Sequence, residues 1–261
     1  MTIRKRVRQL LRSLRFKWRN RRFEPYDTTI QVNGDSFRFH IADIVGRQWY
    51  QDPSPREDPE LRFIQQRVLK PGMHVVECGA HHGMFALVFA RAVGPTGSVL
   101  AIEANPVGAE VCRRNAALNG LTNIKVLACA VSDKEGTLST TGDSNLEVIQ
   151  NQVRVHQVPA KTLDSLVDVA PDVIKIDIEG YEVQALRGMR QTLERHHPHL
   201  LIELHTDLLP NYGAAVEDVM AFIDPAVYEL YIQWNDADAP MPYQPSQAIT
   251  TRVHLFALRR E

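Results

Sequence analysis

The sequence predicts an α/β domain built on a doubly wound parallel sheet, preceded by an N-terminal extension. Three observations carry this prediction. Short apolar runs alternate with helical patterns from about residue 60 onward. The connections between them are mostly short, which favours crossovers that cover both faces of a sheet. Glycines and charged residues gather where the apolar runs stop, the edge at which an open parallel sheet binds ligands. A length of 261 residues suits one such domain, and 44% hydrophobic with 23% charged residues excludes a disordered or collagen-like chain.

Residues 1–22 form a basic arm with ten Lys or Arg and no acid, although the whole chain carries a net charge of −1. The remaining residues hold 20 basic against 31 acidic side chains, about −11. Ile3, Val7, Leu10, Leu11, Leu14 and Trp18 draw an apolar stripe at helical spacing. The arm therefore reads as a helix that lies on an anionic membrane surface, apolar side down. Its alternatives are a helix docked on the body of the protein and a disordered tail. No nucleic-acid partner is expected. Cys78, Cys112 and Cys129 lack a CxxC spacing, which points to a reducing compartment without disulfides or a zinc motif. No apolar run approaches the ~18–20 residues of a membrane span, and no apolar block follows the basic start as in a secretory signal. The expected location is cytoplasmic, peripheral at the inner membrane face.

Residues 23–60 form the extension. Two alternating runs around Asn33-Gly34 predict a β-hairpin, and Asp52-Pro53-Ser54-Pro55 with Asp58-Pro59 marks a loop. The main domain, 61–261, starts within a helix over 60–69. Strands are expected at 74–78, 98–103, 124–131, 172–177, 199–205, 227–234 and 253–258. Helices are expected at 83–92, 106–119, 181–195 and 216–223. Residues 138–158 carry no assignable pattern.

Four strand ends carry chemistry. In Glu77-Cys78-Gly79-Ala80-His81-His82-Gly83 the two glycines permit a tight turn and a close approach of backbone to a ligand. A dinucleotide fingerprint requires glycine where His81 stands, and no Tyr-x-x-x-Lys pair is present, so NAD-dependent oxidoreduction is disfavoured. Glu103 ends the next strand, twenty positions after Gly83, where an acid accepts both hydroxyls of a ribose. In Lys175-Ile176-Asp177-Ile178-Glu179-Gly180-Tyr181-Glu182, alternation puts Lys175, Asp177 and Glu179 on one side, and Glu182 is left to helix capping. Glu203 and His205 share a face at a fourth strand end, where His205 is a candidate general base. Asp177, Glu179, Glu203 and His205 also offer metal ligands, but their spacing is not diagnostic and no metal is assigned.

These residues resemble the FkbM family of S-adenosylmethionine-dependent methyltransferases. The resemblance runs from about Leu69 to His205. It is carried by Leu69-Lys70-Pro71-Gly72, Glu77 to Gly83, Ile102-Glu103-Ala104-Asn105-Pro106, Asn115, Ala130-Val131-Ser132-Asp133, Thr162-Leu163-Asp164, Lys175 to Glu182 with Leu186-Arg187-Gly188, and Ile202-Glu203-Leu204-His205. It implies a Rossmann-like, seven-stranded class I methyltransferase fold with the last strand antiparallel between its neighbours. It also implies S-adenosyl-L-methionine as cofactor and O-methylation of a hydroxyl on a sugar, glycolipid or similar small molecule. Cofactor contacts are then expected at Glu77, Gly79, Ala80, His81, Gly83, Glu103, Ala104, Asn105, Ser132, Asp133 and Asp177. His205, Asp177 and Glu179 are the catalytic candidates. Where the family reads Asp-Val-Gly-Ala-Asn, this chain has Glu77-Cys78-Gly79-Ala80-His81, one methylene longer at the acid and an imidazole in place of an amide. A non-catalytic, membrane-associated cofactor-binding protein is the rival reading.

Overall fold

The structure, a computed structural model, describes residues 22–51, 54, 56–141 and 155–260. The expected helical arm lies almost entirely outside the described residues, as does the middle of the stretch without a pattern.

The extension opens with the expected hairpin, β1 (Tyr26–Val32) and β2 (Asp35–Ile41), paired antiparallel. Asn33 and Gly34 both take positive φ, the requirement of a tight two-residue turn. Alternation buries Ile30, Val32, Phe37 and Phe39 against the main domain. A short helix not read from the sequence follows, α1 (Ile44–Tyr50), with Asp43 capping the Gly46 N–H at 2.7 Å. Its seven residues are too few for a period to show. Next comes α2 (Pro59–Arg67), started by the Asp58 cap and by Pro59 in the first turn.

The main domain alternates as expected: β3 (His74–Cys78), α3 (Met84–Val93), β4 (Ser98–Glu103), α4 (Pro106–Leu118) and β5 (Ile124–Ala128). The strand expected over 124–131 breaks at Cys129. Its last two residues, β6 (Ala130–Val131), join β7 (Gly136–Thr141) and β8 (Val155–Lys161) in a separate three-stranded sheet. After α5 (Leu163–Leu166) and β9 (Val173–Ile176), the single helix expected over 181–195 is two, α6 (Glu182–Arg187) and α7 (Arg190–His196). A tertiary contact decides that break. The Asp164 carboxylate accepts from the backbone N–H groups of Gln191 and Thr192, giving α7 an N-terminal cap from another element. The chain continues through β10 (His199–Leu204), α8 (Val216–Met220), β11 (Tyr228–Gln233), the two-residue β12 (Met241–Pro242) and β13 (Val253–Arg259).

The main sheet has the order β12-β11-β13-β10-β9-β3-β4-β5. Strands β3, β4, β5, β9 and β10 run parallel, while β13 is antiparallel to both β10 and β11. This is the seven-stranded arrangement with one short strand added at an edge. The order reverses between β3 and β9, so the crevice there is the natural ligand site. One face buries Val75, Ala101, Val173, Leu201 and Phe256 under the hairpin, α2 and α3. The other buries Val76, Ile102, Ile174, Ile202 and Leu255 with Val183, Leu186 and Val219.

On the first face, the two-residue period carries Glu77, Glu103, Lys175, Asp177 and Glu203 to neighbouring positions at one end of the sheet. His254 on β13 stands opposite Glu203 in the register. Its imidazole lies 3.3 Å from Glu60 on α2 and 3.3 Å from Asp236. Burial works against its charge, but Glu60 and Asp236 outweigh burial and hold its pKa up at about 10. A histidine raised in the folded state stabilises fully below its unfolded pKa of ~6.5, and that stabilisation is lost as pH rises through the folded value. Urea unfolding of the wild type should therefore show stability falling between about pH 6.5 and pH 10. His254→Gln should flatten that fall; an unchanged slope would remove the ion pair as its source.

Candidate active site at the sheet reversal

The glycine turn that follows β3 is held by the chain itself. Gly79 has φ +92°, and a Cβ there would overlap the carbonyl oxygen of Asp177. Gly83 also needs positive φ, and its Cβ would stand 2.6 Å from the sulfur of Cys112. Both glycines therefore serve close packing of the turn, and it is the turn's backbone that faces Glu103. The N–H groups of Gly79 and Ala80 donate to the carbonyl of Ile102 at 2.8 and 3.0 Å. His81, at φ 47°, donates its N–H to Glu103 Oε2 at 2.6 Å.

Glu103 is anchored a second time, its Oε1 accepting from the Asn105 N–H at 2.7 Å. Asn105 in turn caps α4 through Val107. Burial pushes the Glu103 carboxyl up, and the two backbone donors oppose that shift. Each oxygen keeps a second lone pair for a ligand hydroxyl. The imidazole of His81 has partners of its own. Its Nδ1 meets Tyr50 Oη at 2.7 Å, and the ring stacks on His82 at 4.0 Å. The bulk that argued against a dinucleotide thus packs between the extension and the turn itself. Asn115 on α4 fastens the same region, donating to the His82 carbonyl and accepting from the His40 N–H of the hairpin.

Glu77 lies one strand over, buried beside Lys175, and its Oε2 has no hydrogen-bond partner. Burial lifts its pKa to about 8, a shift that Lys175 partly offsets. An unsatisfied acidic oxygen next to the Glu103 strand suits a cationic group, and the two-point anchored Glu103 suits a diol. These residues fit a nucleoside carrying an ammonium tail. Ser132 and Asp133 were expected at an adenine edge. The structure ties Ser132 to Lys161, to Asp133 and to the hydroxyl of Tyr181, and the residues are not hydrogen-bonded to Glu103. Ala104 sits in the short bend between Glu103 and Asn105.

The second half of the site surrounds His205. Asp177, Glu179 and Glu203 approach its Nε2 at 3.9, 3.6 and 3.4 Å. Strands β9 and β10 are neighbours, so Asp177 and Glu203 come from adjacent strand ends, as the two-residue period requires. Glu179 arrives differently. The strand has already ended at Ile176, and a positive φ at Glu179 turns its side chain back. Asp177 is also paired with Lys175 at 3.2 Å. Lys175 and His205 together hold the Asp177 carboxyl low against the effect of burial. Glu203 is raised to about 7 by burial and by the neighbouring Asp177.

Glu182, left to helix capping in the sequence, belongs to this half. Its carboxylate is fully buried and accepts from His205 Nδ1 at 2.8 Å and from the Gly180 N–H at 2.9 Å. The imidazole pKa is raised: burial lowers it, but Glu182 and the other carboxylates prevail. The signal in the sequence was an acid at the first turn of a helix, which a capping role satisfies equally well. Only the packing of α6 against the end of β10 distinguishes the two. The imidazole itself is fully buried, while Asp177 and Glu179 stand about one third exposed, at 30% and 35%.

The sequence matches the family described as the methyltransferase FkbM domain over residues 77–230. No curated protein matches it. Among solved structures, an FkbM methyltransferase from Methylobacillus flagellatus is 18% identical at a TM-score of 0.47 and covers 76% of this chain. This chain spans 58% of that protein's length. An S-adenosylmethionine-dependent O-methyltransferase from Thermotoga maritima is 14% identical at a TM-score of 0.47, covering 90% of this chain and 79% of its own. A methyltransferase from Streptococcus mutans, solved with S-adenosylhomocysteine, is 12% identical at a TM-score of 0.46, covering 76% of this chain and 94% of its own. The family match spans more than half the chain, and the order of the main sheet agrees with it; the chain belongs to the FkbM methyltransferase family.

Proposed function

We propose that this methyltransferase uses S-adenosylmethionine to methylate a hydroxyl oxygen of a sugar, glycolipid or similar small molecule. The observation that carries the cofactor half is Glu103, held by two backbone N–H groups at the sheet reversal with lone pairs left for a ribose diol. Glu77, with its unsatisfied oxygen, receives the ammonium of the methionine tail. S-adenosylmethionine supplies a methyl group on a sulfonium, already activated for transfer to a nucleophile. The chain's own task is to hold a hydroxyl in line, exclude water and take up its proton.

The carboxylates and imidazole on β9 and β10 support that second task. Asp177 and Glu179 present oxygens at the opening, and His205 stands behind them with Nδ1 fixed by Glu182. One well-placed proton acceptor contributes ~10²–10⁴-fold to rate. The sugar or glycolipid acceptor follows from the family resemblance and from the basic arm, which would bring the domain to a lipid surface. Among the described residues no helix is long and apolar enough to cross a membrane.

Calorimetry with S-adenosylmethionine and with NAD tests the cofactor. The wild type should bind the first and not the second. Glu103→Ala should lose about one to two orders of affinity, because two charge-assisted hydrogen bonds worth about 1.5–3 kcal/mol each are only partly replaced by water. Unchanged affinity in a folded Glu103→Ala protein would sink the assignment.

The arm is tested separately. Removing residues 1–22 should leave cofactor affinity unchanged and abolish sedimentation with phosphatidylserine-containing vesicles. Salt should release the full-length protein, since basic residues near a charged surface contribute ~1 kcal/mol each. Vesicle binding that ignores salt, or that survives removal of the arm, would reject this role.

A further inference from the structure

The carboxylate half of the site has the features of a metal centre. The side chain of His205 is 0% exposed, and its Nε2 has no hydrogen-bond partner. That nitrogen points into a cluster in which Asp177, Glu203 and His205 each offer one ligand atom, all within 4.8 Å of one another. Nδ1 is bonded to the buried Glu182. A neutral imidazole that donates its Nδ1 proton to a carboxylate leaves its lone pair on Nε2, as metal-ligating histidines do.

The distances agree. Ligand atoms about 2.0–2.2 Å from a shared ion stand roughly 3–3.5 Å apart. Glu203 and Asp177 lie 3.4 and 3.9 Å from Nε2, close to that spacing and too long or misdirected for hydrogen bonds. Charge agrees as well. Four carboxylates, Asp177, Glu179, Glu182 and Glu203, surround the imidazole. Among the described residues the cations facing them are Lys175 at 3.2 Å from Asp177, Arg252, which is 3.7 Å from Glu203 and 4.0 Å from Glu179, and His254, which stands opposite Glu203 in the register and is shared with Glu60 and Asp236. Arg252 is half-exposed and also shared with Asp207. With the imidazole in the neutral form that a metal ion requires, the four carboxylates still outnumber the cations that face them.

We infer that Asp177, Glu203 and His205 bind a divalent metal ion of the Mn²⁺ or Zn²⁺ class, with Glu182 orienting the imidazole. One nitrogen and two carboxylate oxygens suit these ions better than the all-oxygen preference of Mg²⁺ or Ca²⁺. This deepens the proposed function, because it places a cation at the acceptor end of the crevice and leaves the Glu179 carboxylate to take the hydroxyl proton.

The test uses the full-length protein, stripped with chelator and dialysed. Mn²⁺ binding is read by the loss of the free-ion electron paramagnetic signal, and Zn²⁺ binding by calorimetry. The wild type should take up one ion per chain. Asp177→Asn and Glu203→Gln should each weaken binding about tenfold or more, and Glu182→Gln by about 10–100-fold. Thermal melting of the metal-free variants identifies any that fail to fold, and the two carboxylate variants serve if Glu182→Gln does. A wild type that binds neither ion at about 1 mM would overturn the inference. So would Mn²⁺ affinity unchanged in both folded carboxylate variants. Titration of S-adenosylmethionine into the same samples separates the two readings. Cofactor binding without metal binding defeats the metal site alone, and metal binding without cofactor binding defeats the methyl-transfer reading alone.

Discussion

Lys175 places an ammonium group in the centre of the main sheet, with its side chain 2% exposed. Charge at that depth costs several kcal/mol unless it is matched, and removing one partner of a buried pair costs about 3–5 kcal/mol. The match comes from Asp177, two positions further along the chain and just past the end of β9, with the ring of Phe85 below the ammonium at 4.4 Å. Glu77 stands directly across in the register of β3. One cation thus organises acids from two strands, and those acids are the ones that face the crevice. The same requirement runs outward along the sheet, through Glu203 to His254 and then to Glu60 on α2. The polar edge of the sheet behaves as one electrostatic unit.

The two halves of the crevice are held by different means. On the Glu103 side, backbone N–H groups fix the carboxylate, and the glycine turn is fixed by contact with Asp177 and Cys112. Main-chain donors barely reorganise, so that half is preformed. On the His205 side, side chains hold one another: Glu182 fixes the ring, and the ring gathers three carboxylates. A side-chain network of this kind responds to charge. A cation or an acceptor arriving there changes the balance that positions it.

The extension is part of the domain's architecture. The hairpin buries Phe37 and Phe39 in the same core as Val75 and Leu87, and Asn115 joins it to the glycine turn. Tyr50, at the end of α1, is hydrogen-bonded to the imidazole of His81. A residue that departs from the usual family pattern has therefore acquired a partner in the extension. The family resemblance does not extend to those residues, so the pairing belongs to this chain's own packing.

The alternation of the main-sheet strands with their larger helices, the hairpin at Asn33-Gly34 and the placement of Glu103, Asp177, Glu203 and His205 at or just past strand ends were legible in the sequence, whereas α1, α5, β7, β8 and β12 were not. Periodicity is local, and a two-residue or 3.6-residue repeat needs no knowledge of distant contacts. The tertiary structure alone decided three things. It split the helix over 181–195, because the cap for its second half comes from Asp164, about 27 residues away in the chain. It moved Ala130-Val131 into another sheet, where their partners are Ala160 and Lys161. And it assigned Glu182 to His205, since an acid in a first helical turn has a sufficient local reason to be there, and only the meeting of α6 with the end of β10 supplies the other one.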